Sequence, residues 1–307
     1  MSKVLVATVK PFAPQAIEQM RAVFSKAGHD MILLEKYNGQ EELLPALQEA
    51  EALIVRSDPV TPEIIAAASQ LKIIVRGGAG YDNINLAAAT EHGIVVENTP
   101  GQNSNAVAEL AIGMMLFQAR NQFNGTAGRE LKGKTLGIHG LGNVGRQVAH
   151  IAIGLGMKVF SFDYRKRPRY CEKHGVIGLD DAKCLYDQVQ YITLSIPSNA
   201  ETYQLINYEL LSRLPDDGVL VNTARKEIIH EEDLQRIMEE KPNFQYLSDV
   251  APVCKEALLA KYPDRVFFTP KKMGAQTLEA NVNAGVAAAQ QIVDYFENGD
   301  TTFQVNG

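Results

Sequence analysis

The stretch TLGIHGLGNVGRQVAHIA, Thr135 to Ala152, limits the fold of this chain more than any other segment. It runs an apolar strand pattern into Gly140, Gly142 and Gly145 and then directly into a helix pattern. Glycines in that setting let the backbone turn tightly and approach a pyrophosphate, whose charge rests on the first helix amides, here those of Asn143 and Val144. The next apolar run, KVFSFD, ends at Asp163, 23 residues past Gly140. A carboxylate there accepts hydrogen bonds from ribose hydroxyls and repels a 2'-phosphate, which points to NAD. The basic run Arg165-Lys166-Arg167 keeps NADP as the alternative. A glycine turn alone is weak support; strand, loop, helix and acid together outweigh the reading of a structural turn that binds nothing.

Around this unit, short β-branched runs alternate with helical periodicity. Strands are expected at VLVATV (Val4 to Val9), MILLEK, ALIVRS, KIIVRG and IVVEN, and again at TLGIHG, KVFSFD, YITLSI, GVLVNT, FQYLSDV and VFFTP. Continuously apolar strands separated by helices make an α/β protein with doubly wound parallel sheets covered on both faces. The helix NAVAELAIGMMLFQAR is apolar nearly all round, as expected at a domain or subunit boundary. With 307 residues, 46% hydrophobic and 21% charged, the chain has room for two cores. A net charge of -6 argues against nucleic acid or an anionic membrane as partner. The three cysteines form no CxxC pair, so no metal site is expected. No signal-peptide pattern and no membrane-length apolar run occur, and the expected location is the cytoplasm.

Several charged residues follow strand patterns, where ligands gather in parallel sheets. Lys10 follows the first strand and Arg56 the third; each is alternatively a solvated loop cation. Arg76 precedes Gly77, Gly78, Ala79 and Gly80, a loop stripped of side chains whose backbone amides can cradle a carboxylate. Arg225 follows GVLVNTA, and Asp249 lies 24 residues further on.

The segments RGGAGYDNIN, NTPGQNSNAVAE, GLGNVGR, VNTARKEIIHEEDL and SDV stand in the order and spacing of the D-isomer-specific 2-hydroxyacid dehydrogenases, which the chain resembles over essentially its whole length. Within that family it is most similar to the branch that oxidises D-3-phosphoglycerate to 3-phosphohydroxypyruvate, the first step of phosphorylated serine biosynthesis, without a C-terminal regulatory domain. The resemblance implies two Rossmann-like domains: a flavodoxin-like substrate domain over 1–101 and 280–307, and an NAD-binding domain over 102–279. It also implies a homodimer joined through the nucleotide domains. Carried over by residue, it places Lys10, Arg56, Arg76, Gly77, Gly78, Ala79, Gly80 and Asn103 on the anionic substrate, with Arg56 on its phosphate. Ile196, Pro197, Thr223, Ala224, Asp249, Gly274 and Ala275 join the glycine loop and Asp163 on the cofactor. Arg225 grips the substrate carboxylate and polarises its C2 oxygen, a task suited to a planar, permanently charged fork.

Two positions depart from the family. Its glutamate falls on Cys254, with Glu256 close by, and its catalytic histidine, in a Thr-Pro-His setting, is replaced by Lys271 and Lys272. Aligned back from MGAQT, Lys272 takes the histidine's place; aligned forward from TP, Lys271 does. Lys272 is preferred as proton carrier because the turn at Gly274 fixes the loop. A lysine amine must fall from about 10.4 toward about 8 to act as a base, a cost of about 3 kcal/mol that burial beside Arg225 and an apolar nicotinamide pocket would have to supply. Loss of the glutamate then follows, because lysine has no tautomer to fix and a neighbouring carboxylate would raise its pKa. The competing readings are a decayed pair with both lysines on the surface, a dehydrogenase for glyoxylate, hydroxypyruvate or another unphosphorylated acid, and an NAD(H)-sensing interaction protein without turnover.

Overall fold

Runs such as Ala52 to Val55, in which every residue is apolar, leave no face for water and must be covered on both sides. In the computed structural model, which describes residues 1–307, they become strands of two wholly parallel sheets. The first sheet holds β1 (Lys3–Thr8), β2 (Asp30–Glu35), β3 (Ala52–Val55), β4 (Ile73–Arg76) and β5 (Val95–Asn98) in the order β2-β1-β3-β4-β5. The second holds β6 (Thr135–His139), β7 (Lys158–Phe162), β8 (Ile177–Leu179), β9 (Tyr191–Leu194), β10 (Val219–Asn222), β11 (Gln245–Ser248) and β12 (Val266–Phe268) in the order β12-β11-β10-β9-β6-β7-β8. The chain divides into one unit of Met1–Asn103 with Ala275–Gly307 and another of Ser104–Gly274.

In the first unit the strands alternate with α1 (Pro14–Lys26), α2 (Gln40–Leu47), α3 (Pro62–Ala67) and α4 (Leu86–Glu91). In the second lie α5 (Ser104–Ala119), α6 (Asn143–Gly154), α7 (Pro168–His174), α8 (Ala182–Gln188), α9 (Tyr208–Leu211), α10 (Glu231–Glu240) and α11 (Lys255–Lys261). The C-terminal helix α12 (Leu278–Asn298) belongs to the first unit. Thr277 caps its start by accepting from the Ala280 amide at 3.1 Å, and Gly299 ends it in the left-handed region. Because the capped helix packs as a whole on Met20 and Phe24 of α1, the return to the first unit comes at Ala275, ahead of the expected residue 280. The strand β8 was not expected; three residues around Gly178 at a sheet edge are too short for a periodic signal.

Parallel pairing brings the ends of the strands to one edge of each sheet. Register pairs His139 with Leu194, Leu194 with Asn222, Asn222 with Ser248 and Ser248 with Phe268. The loops after β6, β9, β10, β11 and β12 therefore leave from the same edge. In the first sheet Thr8 pairs with Glu35, Val55 with Arg76 and Arg76 with Asn98, so the loops carrying Lys10, Arg56 and Gly77 share an edge in the same way.

Each unit buries a group that titrates between about 4 and about 7 and whose ionisation opposes its burial. His139, 2% exposed, lies edge-on to Phe162 and Tyr186, and burial pushes it down to about 4. Glu97, 1% exposed, is pushed up to about 7 by burial and by Asp300 and Asp294, against the Phe303 amide. A depressed histidine contributes fully above its unfolded value near 6.5 and loses that contribution as pH falls toward 4; a raised glutamate contributes fully below about 4.5 and loses it as pH rises through 7. Between pH 7 and 5 the second unit is expected to lose about 2 kcal/mol through His139, while the first unit gains through Glu97. Denaturant titrations at both pH values check this: His139→Phe should abolish the acid loss and Glu97→Gln the acid gain, and unchanged slopes in either variant contradict the assignment.

Candidate functional site

The loop after β6 is built for close approach. Gly140 has φ +100°, and a Cβ there would lie 2.7 Å from the Ser195 carbonyl oxygen. A Cβ on Gly145 would lie 2.1 Å from the Gly140 carbonyl, so helix and loop pack without room for a side chain. Gly142 is different. A Cβ there would meet nothing within 4 Å, and as N-cap of α6 it places no side chain on the amides of Asn143 and Val144. The loop therefore has one open side bordered by uncapped helix donors, the geometry that receives an anion. Asp163 accepts from the Leu141 amide at 2.6 Å and the Arg165 amide at 2.8 Å, which ties the end of β7 to the glycine loop. Of the basic run, Lys166 pairs with Asp180 at 2.8 Å, and Arg167 lies 3.9 Å from Asp163. Ile196 borders Gly140, and the exposed Pro197 accepts from Thr202.

At the same sheet edge, Asp249 is only 2% exposed. Its Oδ2 accepts from the Gly274 amide at 2.8 Å and the Met273 amide at 3.2 Å, while Oδ1 is buried without a hydrogen-bond partner. Burial raises its pKa; those two amides and the charges of Lys272 and Arg225 oppose the rise. The arginine, the aspartate and the second lysine are thus gathered by the ends of β10, β11 and β12. Arg225 is half-buried and donates to the Ala224 carbonyl at 2.9 Å. The Lys271 carbonyl accepts from Thr269 Oγ1 at 2.8 Å. Both lysines are exposed, so the protein alone does not give the dry surroundings that the sequence argument required of a proton-carrying amine. Thr223 Oγ1 and Ser195 Oγ, beside Ala224 and Ile196, are further buried oxygens without partners.

Glu256, the carboxylate nearest in sequence to Cys254, is exposed. The carboxylate that reaches Cys254 is Glu231, which accepts from the Val253 and Cys254 amides at 2.8 and 2.9 Å. Burial, then Glu231, pushes the Cys254 thiol up to about 12, so this cysteine is neither an acid nor a nucleophile at neutral pH.

In the first unit a cavity of about 550 Å³ opens at the strand-end edge. Lys10, Phe12, Lys36, Arg56, Thr277 and Asn281 line it. Arg56 Nη1 donates to the carbonyls of Lys10 and Pro11 at 3.1 and 2.8 Å, and the guanidinium carbon sits 5.1 Å from the centre of the Phe12 ring. Lys36 was missed in the sequence, although it ends MILLEK as Lys10 and Arg56 end their strands. The glycine loop differs from expectation. The Gly77 amide goes to the Val55 carbonyl and the Gly78 amide to the Arg76 carbonyl, both at 2.8 Å, which leaves Ala79 and Gly80 as its candidate donors. Gly78 has φ +147°, and Arg76 Nη1 occupies the space where its Cβ would stand, so Arg76 covers the loop and does not line the cavity. Asn98 holds the loop by donating to the Ala79 carbonyl at 2.6 Å, and Asn103 is half-buried in the turn before α5. Gly274 and Ala275 fall on either side of the division between units.

Comparison with known proteins agrees with this arrangement. The family model described as "D-isomer specific 2-hydroxyacid dehydrogenase, catalytic domain" matches residues 4–306. D-3-phosphoglycerate dehydrogenase of Methanocaldococcus jannaschii is 38% identical over 270 residues, covering 82% of this chain and 51% of the relative. Hydroxypyruvate reductase of Thermotoga maritima is 36% identical over 273 residues, covering 82% of this chain and 87% of the relative. The chain spans about half the length of several of the curated relatives it matches. Among solved structures, NAD+-bound 3-phosphoglycerate dehydrogenase of Entamoeba histolytica superimposes with a TM-score of 0.89 at 47% identity, covering 100% of this chain and 99% of that one. Match, strand order and gathered residues together make this chain a member of the D-isomer specific 2-hydroxyacid dehydrogenase family.

Proposed function

We propose that the chain is an NAD-dependent dehydrogenase that interconverts D-3-phosphoglycerate and 3-phosphohydroxypyruvate. The observation that carries the reading is buried Asp249, whose Oδ2 is held by the Gly274 and Met273 amides while Oδ1 is left without a donor, at the strand-end edge that also bears Arg225 and Lys272. The second unit fits the cofactor: Gly142 leaves its loop open, Asp163 stands at the end of the next strand, and Asp249 Oδ1 is a buried acceptor in want of a donor. When bound, NAD supplies the acceptor for the hydride leaving C2 of the acid. The glycine loop and the α6 amides would hold its pyrophosphate, and Asp249 Oδ1 would accept from the nicotinamide end. Arg225 grips the substrate carboxylate and steadies charge on the C2 oxygen. Neutral Lys272 takes the C2 hydroxyl proton during oxidation and returns it from its ammonium form during reduction. Since Lys272 is exposed, exclusion of water by the bound reactants is what makes its amine a usable base.

Three cations, Lys10, Lys36 and Arg56, around one cavity of the first unit favour an acid that carries a dianionic phosphate. An unphosphorylated acid is the second reading, favoured by the similarity to hydroxypyruvate reductase over 87% of that protein. A homodimer in the cytoplasm is the setting we attach to the first reading. It is compatible with three free cysteines and with the absence of any helix long and apolar enough to cross a membrane.

Lys272→Ala should lower kcat about 100- to 10,000-fold with NADH affinity held close to the parent's. Stopped-flow turnover near the parent's rate would remove Lys272 from the chemistry. Lys36→Ala and Arg56→Ala should each raise KM for 3-phosphohydroxypyruvate about 10- to 100-fold and leave glyoxylate nearly unaffected. Equal effects on both acids in the 340 nm assay would favour the unphosphorylated reading.

A further inference from the structure

Neither the anion cavity nor the glycine loop explains why Arg225 and Asp249, on different strand ends, keep a fixed relation. Asn222, the last residue of β10, does. It is fully buried between Leu194 and Ser248 of the neighbouring strands, where an amide side chain is costly unless its polar atoms are used. Its Oδ1 accepts from the Ala224 amide and its Nδ2 donates to the Arg225 carbonyl, both at 2.9 Å. The side chain therefore closes a ring around the turn of Thr223 to Arg225, and it fixes that turn from both a donor and an acceptor. Its backbone carbonyl accepts from Ser248 Oγ at 2.8 Å and from the Asp249 amide at 3.3 Å. Ser248 Oγ in turn accepts from the Val250 amide at 3.0 Å.

One residue thus ties the arginine turn through its side chain and the aspartate turn through its main chain. The geometry points to Asn222 as a positioning residue that aims the Arg225 guanidinium while Ser248 and its own carbonyl hold Asp249 in register. This rests on the reading of Arg225 as the group that grips the substrate. A guanidinium displaced by about 1 Å keeps its charge and loses its aim, which costs roughly 100-fold in rate.

The test is a double-variant cycle on the full chain, with NADH and whichever 2-oxo acid is turned over fastest, each rate expressed per NADH-binding site measured by fluorescence titration. Asn222→Ala should lower kcat about 10- to 100-fold. Asn222→Asp keeps the acceptor for Ala224 and loses the donor to Arg225; it should also lower kcat at least about tenfold, and it serves if the alanine variant does not fold. In an Arg225→Ala background, removing the Asn222 side chain should add less than about threefold, because it acts through the arginine. A purely structural role would reduce the number of NADH-binding sites and leave the rate per site unchanged. Parent-like rates per site in both Asn222 variants, or losses that multiply in the double variant, overturn the inference. A parent-like Arg225→Ala overturns the functional reading instead.

Discussion

A carboxylate removed from water has to be compensated, and at Asp249 this requirement organises the end of the second sheet. With 2% exposure, the side chain stays ionised only if donors and positive charge surround it. The Gly274 and Met273 amides supply the first, and Arg225 and Lys272 the second. Gly274 is small for the same reason, since a Cβ there would already lie 3.1 Å from Asp249 Oδ2. The Gly274 and Met273 amides tie the loop after β12 to the aspartate at the end of β11.

That arrangement gives the two departures from the family pattern a physical account. A histidine needs a partner to fix its tautomer, and a glutamate at position 254 would supply one; a lysine needs only a place for its charge. With Cys254 there, the only acid in contact is Glu231, and its oxygens are taken up by the amides of Val253 and Cys254. It pins a loop and does not feed a proton path.

Much of this was legible because it is periodic or covalently local. Eleven of the strands announce themselves as apolar runs; Ile177 to Leu179 does not, being three residues long with a glycine at its centre. The glycine loop and Asp163 could be read because strand, turn and helix are consecutive in the chain. What sequence left ambiguous depends on where side chains and amides point. The loop at Gly77 and Gly78 looked like a row of free donors, yet its first two amides are spent on Val55 and Arg76. Lys36 was overlooked although it follows its strand as Lys10 and Arg56 follow theirs, because a cation at a strand end is commonly a solvated one; the cavity it lines with Lys10 and Arg56 sets it apart. Asn222 was passed over as part of a strand end, since its value lies in four hydrogen bonds that no spacing reveals.

The central claim is that the amine beside Asp249 and Arg225 carries the proton. The pH profile of single-turnover oxidation, recorded for the parent and for Lys271→Ala and Lys272→Ala separately, tests it most directly. The account predicts a limb that requires a deprotonated base in the parent, unchanged in the Lys271 variant and absent in the Lys272 variant. A limb that survives loss of Lys272, or disappears with Lys271, would contradict it.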